Sequence, residues 1–204
     1  MLDDALIARL RDLHSGPDRG YHAWSHPLAL LDLFEIVRDR LNDPLAVYCA
    51  IVLHDAIYEP RARDNEARSA ALAARLLNGV VPPATLARTL RLIEATARHA
   101  IPADLPPDEA ADMAMFLDMD LSILAASPEA FDTYEAGVRH EYREVPEAAF
   151  RAGRATILEG FLAREALYMS PWGLDAFERK ARTNLIRSIA ALRDGKRQAD
   201  AQTP

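Results

Sequence analysis

Histidines and acidic residues occur at positions from which several could meet around one cation. His26 stands near the start of a helix-length run, and the adjacent pair His54 and Asp55 follows the next apolar segment. A later segment offers two more carboxylates, Asp118 and Asp120. Imidazole nitrogen and carboxylate oxygen together suit borderline divalent metals such as Zn²⁺, Fe²⁺, Mn²⁺ and Co²⁺. A metal held in this way can acidify a water and orient a phosphate, which is chemistry that hydrolases use.

The elements that must position these residues are predicted to be helices. Apolar residues follow His26 at three- and four-residue spacing, which predicts an amphipathic helix: Leu30, Leu31, Phe34, Val37 and Leu41. Ser25 is predicted to cap this helix, with Pro27 in its first turn. Asp43-Pro44 opens the next helix, and His54 falls on its inward face. A buried imidazole there needs a polar partner, and a metal would supply one.

Helical patterns continue through the rest of the chain. Further helices are predicted for these segments: 64–78, Pro83 towards Thr96, 108–126, 131–143, 147–168 and 175–192. We find no alternating strand pattern of useful length, no internal repeat and no low-complexity linker. The sequence therefore predicts an all-α bundle of about eight helices, forming a single domain over residues 1–195. Residues 196–204 are expected to be a polar C-terminal tail.

Composition restricts the classes of partner. The chain has 204 residues, with 24 Lys+Arg against 31 Asp+Glu and a formal net charge of -7. Nucleic acid is not expected as a partner, because phosphate backbones require a basic face. No run reaches the ~18–20 apolar residues that a membrane span needs, and the acidic N-terminus lacks an apolar signal region. The single cysteine, Cys49, cannot form an intramolecular disulfide, so we expect a cytoplasmic protein.

The ordered set of histidines and carboxylates resembles the HD superfamily of metal-dependent phosphohydrolases. His26, His54-Asp55 and a later Asp match its H…HD…D signature. The likeness to one bacterial branch of predicted HD hydrolases covers roughly residues 20–190. Its other motifs are Tyr21-His22-x-x-x-His26, His54-Asp55-x-x-Tyr58, Asn65-Glu66-x-x-Ser69, Phe116-Leu117-Asp118-x-Asp120-Leu121, Arg139-x-Glu141-Tyr142 and Gly153-Arg154. The resemblance implies an HD-type helical domain that binds one divalent metal ion (Mn, Co, Zn, Ni, Fe or Mg).

Which carboxylate completes the metal site stays open between Asp118 and Asp120. Helical spacing places Asp120 in the middle of an otherwise apolar face, where an unpaired carboxylate would be costly. The resemblance also permits Asp118 as the closing ligand. We expect one of them to bind the metal and the other to orient a ligand or an arginine.

Three residues are candidates for handling protons. In two-metal HD proteins, extra histidines lie between the HD pair and the final Asp, and here Glu66 and His99 stand at those places. Because Glu66 departs from the all-histidine pattern, a second metal is not favoured. Glu66 is instead a candidate general base, unless it only supports its helix N-terminus. His99 is expected to contact phosphate, and His22 is expected beside the metal.

Substrate contacts are expected from two arginines and one aromatic residue. Arg139 and Arg154 could clamp a phosphate through their forked donors, or they could form ordinary ion pairs. Tyr21 could line a pocket for a nucleobase or sugar.

These residues together predict a metal-dependent phosphohydrolase that acts on a nucleotide or another small phosphate ester through a metal-activated water. Two alternatives stay open: an HD-type di-iron oxygenase, and a non-catalytic binding module that contains a metal. A small phosphorylated substrate is the expected partner, with neither nucleic acid nor membrane, and a homodimer is compatible with the sequence.

Overall fold

The structure, a computed structural model, describes residues 2–200, with side chains through residue 194. This part of the chain contains no β-strand, and the predicted all-α class is confirmed. Ten α-helices are present, close to the expected number: α1 Asp4–Leu13, α2 Ser25–Val37, α3 Pro44–Leu53, α4 Asn65–Leu77, α5 Pro83–Ala95, α6 Pro107–Asp120, α7 Pro128–Glu141, α8 Glu147–Leu162, α9 Pro171–Ala176 and α10 Glu178–Asp200. Short 3₁₀ helices follow α2 and α6, at Arg38–Arg40 and Leu121–Ala125.

Side chains cap the starts of α1, α3, α7 and α9, and the predicted cap of α2 is not among them. Helix α3 begins as predicted, because the Asp43 carboxylate accepts a hydrogen bond from the Ala46 N–H at 3.0 Å. The prediction that Ser25 caps α2 is wrong, since Ser25 is the first residue of the helix and Trp24 precedes it without a side-chain cap. A capping residue needs an extended backbone, but the backbone is already helical at Trp24, so Ser25 lies inside the helix and cannot cap it.

Several helix boundaries differ from the predicted ones. Helix α1 was not predicted, although Asp3 caps it by accepting from the Leu6 N–H at 2.7 Å. The helix predicted for 147–168 ends at Leu162, and the one predicted for 175–192 is preceded by the short α9. The backbone of residues 196–200, expected as tail, belongs to α10, whereas 201–204 lie outside the described residues.

The chain divides into two compact units, with the boundary between Asp120 and Leu121. Helix α3 is the centre of the first unit and packs against α2, α4, α5 and α6. Its residues are apolar on every side and almost all buried, as expected for a helix surrounded by others. Nothing in this division tests whether the chain is one domain, so that expectation stays a prediction.

The second unit has its own apolar core. Helix α10 packs against α8, α9 and the 3₁₀ helix Leu121–Ala125. The core contains Leu121, Leu124, Ala125, Phe131, Leu158, Leu167, Tyr168, Ala181 and Leu185. The Tyr168 hydroxyl is also satisfied, because it donates to the Leu121 carbonyl at 2.9 Å. In neither unit does the described chain contain a helix that is both long and apolar enough to cross a membrane.

Candidate metal centre

Three helix ends of the first unit bring polar side chains together. His26 is the second residue of α2, His54 directly follows α3, and Asp120 is the last residue of α6. Both histidines are buried, with 5% and 2% of their surface exposed. Buried polar groups require partners, and here the partners are one another.

The distances between the donor atoms match those around a small divalent cation. His26 Nε2 lies 3.1 Å from His54 Nε2 and 3.0 Å from Asp120 Oδ1. His54 Nε2 lies 3.4 Å from Asp120 Oδ1. Ligands about 2.0–2.1 Å from a tetrahedral metal are separated by about 3.3 Å. His26, His54 and Asp120 therefore form a group that could hold a metal ion.

Asp55 borders this group on the side of the histidines. Its Oδ2 lies 3.1 Å from His54 Nε2 and 3.7 Å from His26 Nε2. The carboxylate reaches this position because the chain turns directly after α3, as the sequence predicted for the end of that helix. Asp55 thus offers a fourth donor atom, an oxygen, within reach of the same centre.

Hydrogen bonds on the outer nitrogens orient both imidazoles. His54 Nδ1 lies 3.0 Å from the Ile51 carbonyl, which can only accept, so Nδ1 carries a proton and Nε2 is the nitrogen that a metal would bind in place of a second proton. His26 Nδ1 lies 2.9 Å from the Tyr21 hydroxyl, and donation to that oxygen leaves the Nε2 of His26 in the same state. Metal-binding histidines are commonly fixed in this way.

The charges of the group depend strongly on one another. Burial opposes a charge on His54, but the carboxylates of Asp55 and Asp120 outweigh it and hold the pKa of His54 well above its usual range. Burial also opposes ionisation of the two carboxyls, yet His54 keeps the pKa of both well below the usual range. Two partly buried carboxylates facing imidazole nitrogens favour a cation between them.

The third histidine of the cluster, His99, contacts Asp120 from the other side. Its Nε2 lies 2.9 Å from Asp120 Oδ2. His99 follows the end of α5 with a φ of 45°, in the left-handed region, and its N–H donates to the Ala95 carbonyl at 2.9 Å. This contact places His99 beside the group, and its expected contact with phosphate stays a prediction.

The segment before α2 is attached to the His54-Asp55 turn by an arginine. Arg19 donates to the carbonyls of His22 at 2.6 Å, Asp55 at 2.8 Å and Ala56 at 3.1 Å. The His22 ring stacks on Tyr58, with centroids 3.9 Å apart. The half-buried His22 ring lies near His26, with centroids 6.3 Å apart, and its role in the site stays a prediction. Arg19 carries no local sequence signal that would have indicated its role.

Two side chains of α4 hold the loop that follows the His54-Asp55 pair. Asn65 accepts from the Glu59 N–H at 3.0 Å and donates to the Glu59 carbonyl at 2.9 Å. Ser69 likewise accepts from the Ile57 N–H at 3.0 Å and donates to the Ile57 carbonyl at 3.2 Å. Between them, Glu66 is half-buried and makes no hydrogen bond or ion pair with another described residue. The motif Asn65-Glu66-x-x-Ser69 thus fixes a loop and leaves one carboxylate uncommitted.

Of the two candidate carboxylates on α6, the structure brings Asp120 into the group. Asp118 is also buried, but it is not among the residues whose donor atoms converge. A third acidic residue of the helix has a role that the sequence did not suggest. The Asp112 carboxylate accepts from the backbone N–H of Asn42 and of Asp43, both at 2.8 Å, and so attaches α6 to the start of α3.

The two arginines expected to bind phosphate have partners within the second unit. Arg139 donates to Glu147 at 2.9 Å and to the carbonyls of two nearby residues. Arg154 is buried, and despite that burial its contacts with Tyr134 and Glu135 raise the pKa of its guanidinium above the usual range. These contacts account for the arginines as structural ion pairs, and their part in substrate binding stays a prediction.

Comparison with known proteins adds no relative to this description. No protein-family model, curated protein or solved structure matches the chain. The resemblance to HD phosphohydrolases therefore depends on the motifs in the sequence and stays a prediction. The geometry of the donor group stands independently of it.

Proposed function

We propose that the chain is a metal-dependent phosphohydrolase acting on a nucleotide or another small phosphate ester. The observation that supports this most directly is the convergence of two oriented imidazoles and a carboxylate in the first unit, with Asp55 beside them. His26, His54, Asp55 and Asp120 would hold one divalent ion. Mixed nitrogen and oxygen donors of this kind are used for borderline metals in hydrolytic sites.

When bound, a divalent ion supplies an acidified water and a Lewis acid for a phosphoryl oxygen. The chain's own residues set the conditions for that chemistry. Ile51 and Tyr21 hold the two imidazoles by their outer nitrogens, so that little reorganisation is needed when substrate arrives. Arg19 keeps the His54-Asp55 turn and the His22 segment at a constant separation.

Proton transfer is assigned to Glu66, with His22 as a second candidate. Glu66 is half-buried, lies beside the side chains that fix the loop after Asp55, and is not engaged in an ion pair with any described residue. A carboxylate that is not already committed is suited to accept a proton. His22 is half-buried against Tyr58, which keeps its ring beside the centre.

The test measures metal content and phosphate release on the same preparations. Wild-type protein should retain close to one equivalent of a divalent metal and release phosphate from at least one ester in a broad panel, and chelator should abolish release. His54→Ala and Asp55→Ala should each lose the metal while keeping a helical circular-dichroism spectrum, because a site of four ligands has none to spare. Asp39→Ala is the matched control, since Asp39 is fully exposed and is not part of the donor group.

A further variant separates metal binding from turnover. Glu66→Gln should keep the metal but lower turnover by about 10²-fold, the usual scale for a proton-handling group. Stoichiometric metal in both His54→Ala and Asp55→Ala would refute the ligand assignment. Two irons per chain would favour an oxygenase, and metal without turnover on any ester would favour a binding module.

A further inference from the structure

His99 occupies a backbone conformation that is uncommon for residues other than glycine. It is the only residue other than glycine with a positive φ in the described chain. Few residues other than glycine adopt a positive φ, and histidine is among those that do so most often. After α4 the chain adopts a similar conformation with Gly79, at a φ of 73°, where glycine is the usual residue. A histidine in place of glycine after α5 therefore points to a contact that its side chain makes.

That contact is with the oxygen of Asp120 that faces away from the other histidines. His99 Nε2 lies 2.9 Å from Asp120 Oδ2, whereas Asp120 Oδ1 lies 3.0 Å from His26 Nε2. An ionised carboxylate can only accept, so His99 Nε2 donates to Oδ2 across this hydrogen-bond distance. The Nε2 atoms of His26 and His54 instead meet at Oδ1, where the three atoms form the group that could hold a metal, and His99 is outside that group.

We infer that His99 is a positioning residue, which fixes the Asp120 carboxylate so that Oδ1 points into the metal centre. This differs from the role expected from the sequence, in which His99 contacts phosphate. The inference rests on the proposed metal centre. Hydrogen-bond partners of metal ligands, when removed, typically cost 10–100-fold in metal affinity.

The test uses Co²⁺ affinity of the full-length protein, measured by competition with a chromophoric chelator. His99→Gly relaxes the backbone but removes the donor, and its Kd for Co²⁺ should rise about 10–100-fold. His99→Gln keeps an N–H donor at a similar reach and should bind Co²⁺ nearly as tightly as wild type, with the same visible spectrum. His99→Asn tolerates the left-handed backbone but is shorter, so it should resemble the glycine variant. His140→Gln, at an exposed position of α7, is the control.

Each outcome decides one question. An unchanged Kd in His99→Gly and His99→Asn would overturn the positioning role while leaving the metal centre intact. A Kd in His99→Gln as weak as in His99→Gly, with an altered Co²⁺ spectrum, would show that the imidazole is itself a ligand and would also overturn it. If wild-type protein binds no Co²⁺, the proposed function fails, and the inference fails with it.

Discussion

Acidification from pH 7 to pH 5 should destabilise the first unit through one buried imidazole, that of His14. Only 1% of His14 is exposed. Its Nδ1 is 2.8 Å from the Leu10 carbonyl, and its Nε2 has no hydrogen-bond partner. Burial is the main cause that lowers the pKa of His14 to about 4; the hydrogen bond to the Leu10 carbonyl opposes it, and Arg19 and His54 add smaller lowering effects. The native state therefore resists a proton that the unfolded chain accepts.

The sign follows from the two pKa values. The folded pKa of about 4 is below the ordinary value of 6.5, so the unfolded state binds more protons between these values. The contribution of His14 to stability is therefore level above about pH 7 and falls as the pH decreases through that window. One pKa unit corresponds to about 1.4 kcal/mol, so the loss due to His14 reaches about 2 kcal/mol at pH 5 and about 3 kcal/mol at pH 4.

The assay compares urea unfolding of wild type and His14→Phe at pH 7 and pH 5. The ring of Trp24 lies against His14, with centroids 5.4 Å apart, so Trp24 fluorescence reports on this region once Trp172→Phe has removed the other indole. Wild type should lose about 2 kcal/mol more than His14→Phe between the two pH values. His140→Phe controls for the loss of an exposed imidazole. An equal loss in wild type and His14→Phe would refute the argument, as would an NMR titration of His14 near 6.5.

Two further perturbations test α6. Asp120→Asn should lower metal occupancy, measured by elemental analysis, much more than Asp118→Asn, because only Asp120 lies in the donor group. The reverse order would mean that the other carboxylate closes the site. Asp112→Asn should lower the free energy of unfolding by about 2 kcal/mol, since an amide cannot replace a carboxylate that accepts from two backbone N–H groups. A change in denaturation midpoint no larger than that of the exposed variant Asp39→Asn would contradict this estimate of the Asp112 contacts.

Local signals were sufficient to predict most of the helices. Asp43-Pro44 correctly predicted the start of α3, because a capping carboxylate and a first-turn proline determine a helix start through their immediate neighbours alone. Gly79 likewise follows the end of α4, where its φ of 73° suits glycine. The predictions failed where the start or end of a helix depends on the conformation of the adjoining residues. The backbone is already helical at Trp24, so Ser25 does not act as a cap. Residues 163–168 have a helical sequence pattern, but α8 ends at Leu162.

The site was predictable for those residues whose side chains, histidine and aspartate, are themselves metal-binding groups. Helical spacing favoured Asp120 over Asp118, and Asp120 is the residue that the structure places with His26 and His54. Arg19 and Asp112 could not be predicted, because each binds backbone groups that come together only after folding. Carbonyls and amide N–H groups are the same at every residue, so no pattern of side chains identifies such partners in advance.

The pairing of Asn65 and Ser69 with the backbone of Glu59 and Ile57 has a consequence for how this chain tolerates substitution. Each side chain both accepts from the N–H and donates to the carbonyl of a single loop residue. The two side chains thus satisfy backbone groups that a neighbouring β-strand would satisfy in a sheet. Aspartate at 65 would lack the donor, and alanine at 69 would lack both groups. A saturation scan should therefore find both positions as restrictive as a ligand position, although neither contributes to the donor group. Intolerance to substitution in this region would then identify residues that hold the loop beside the site as well as residues that bind the metal.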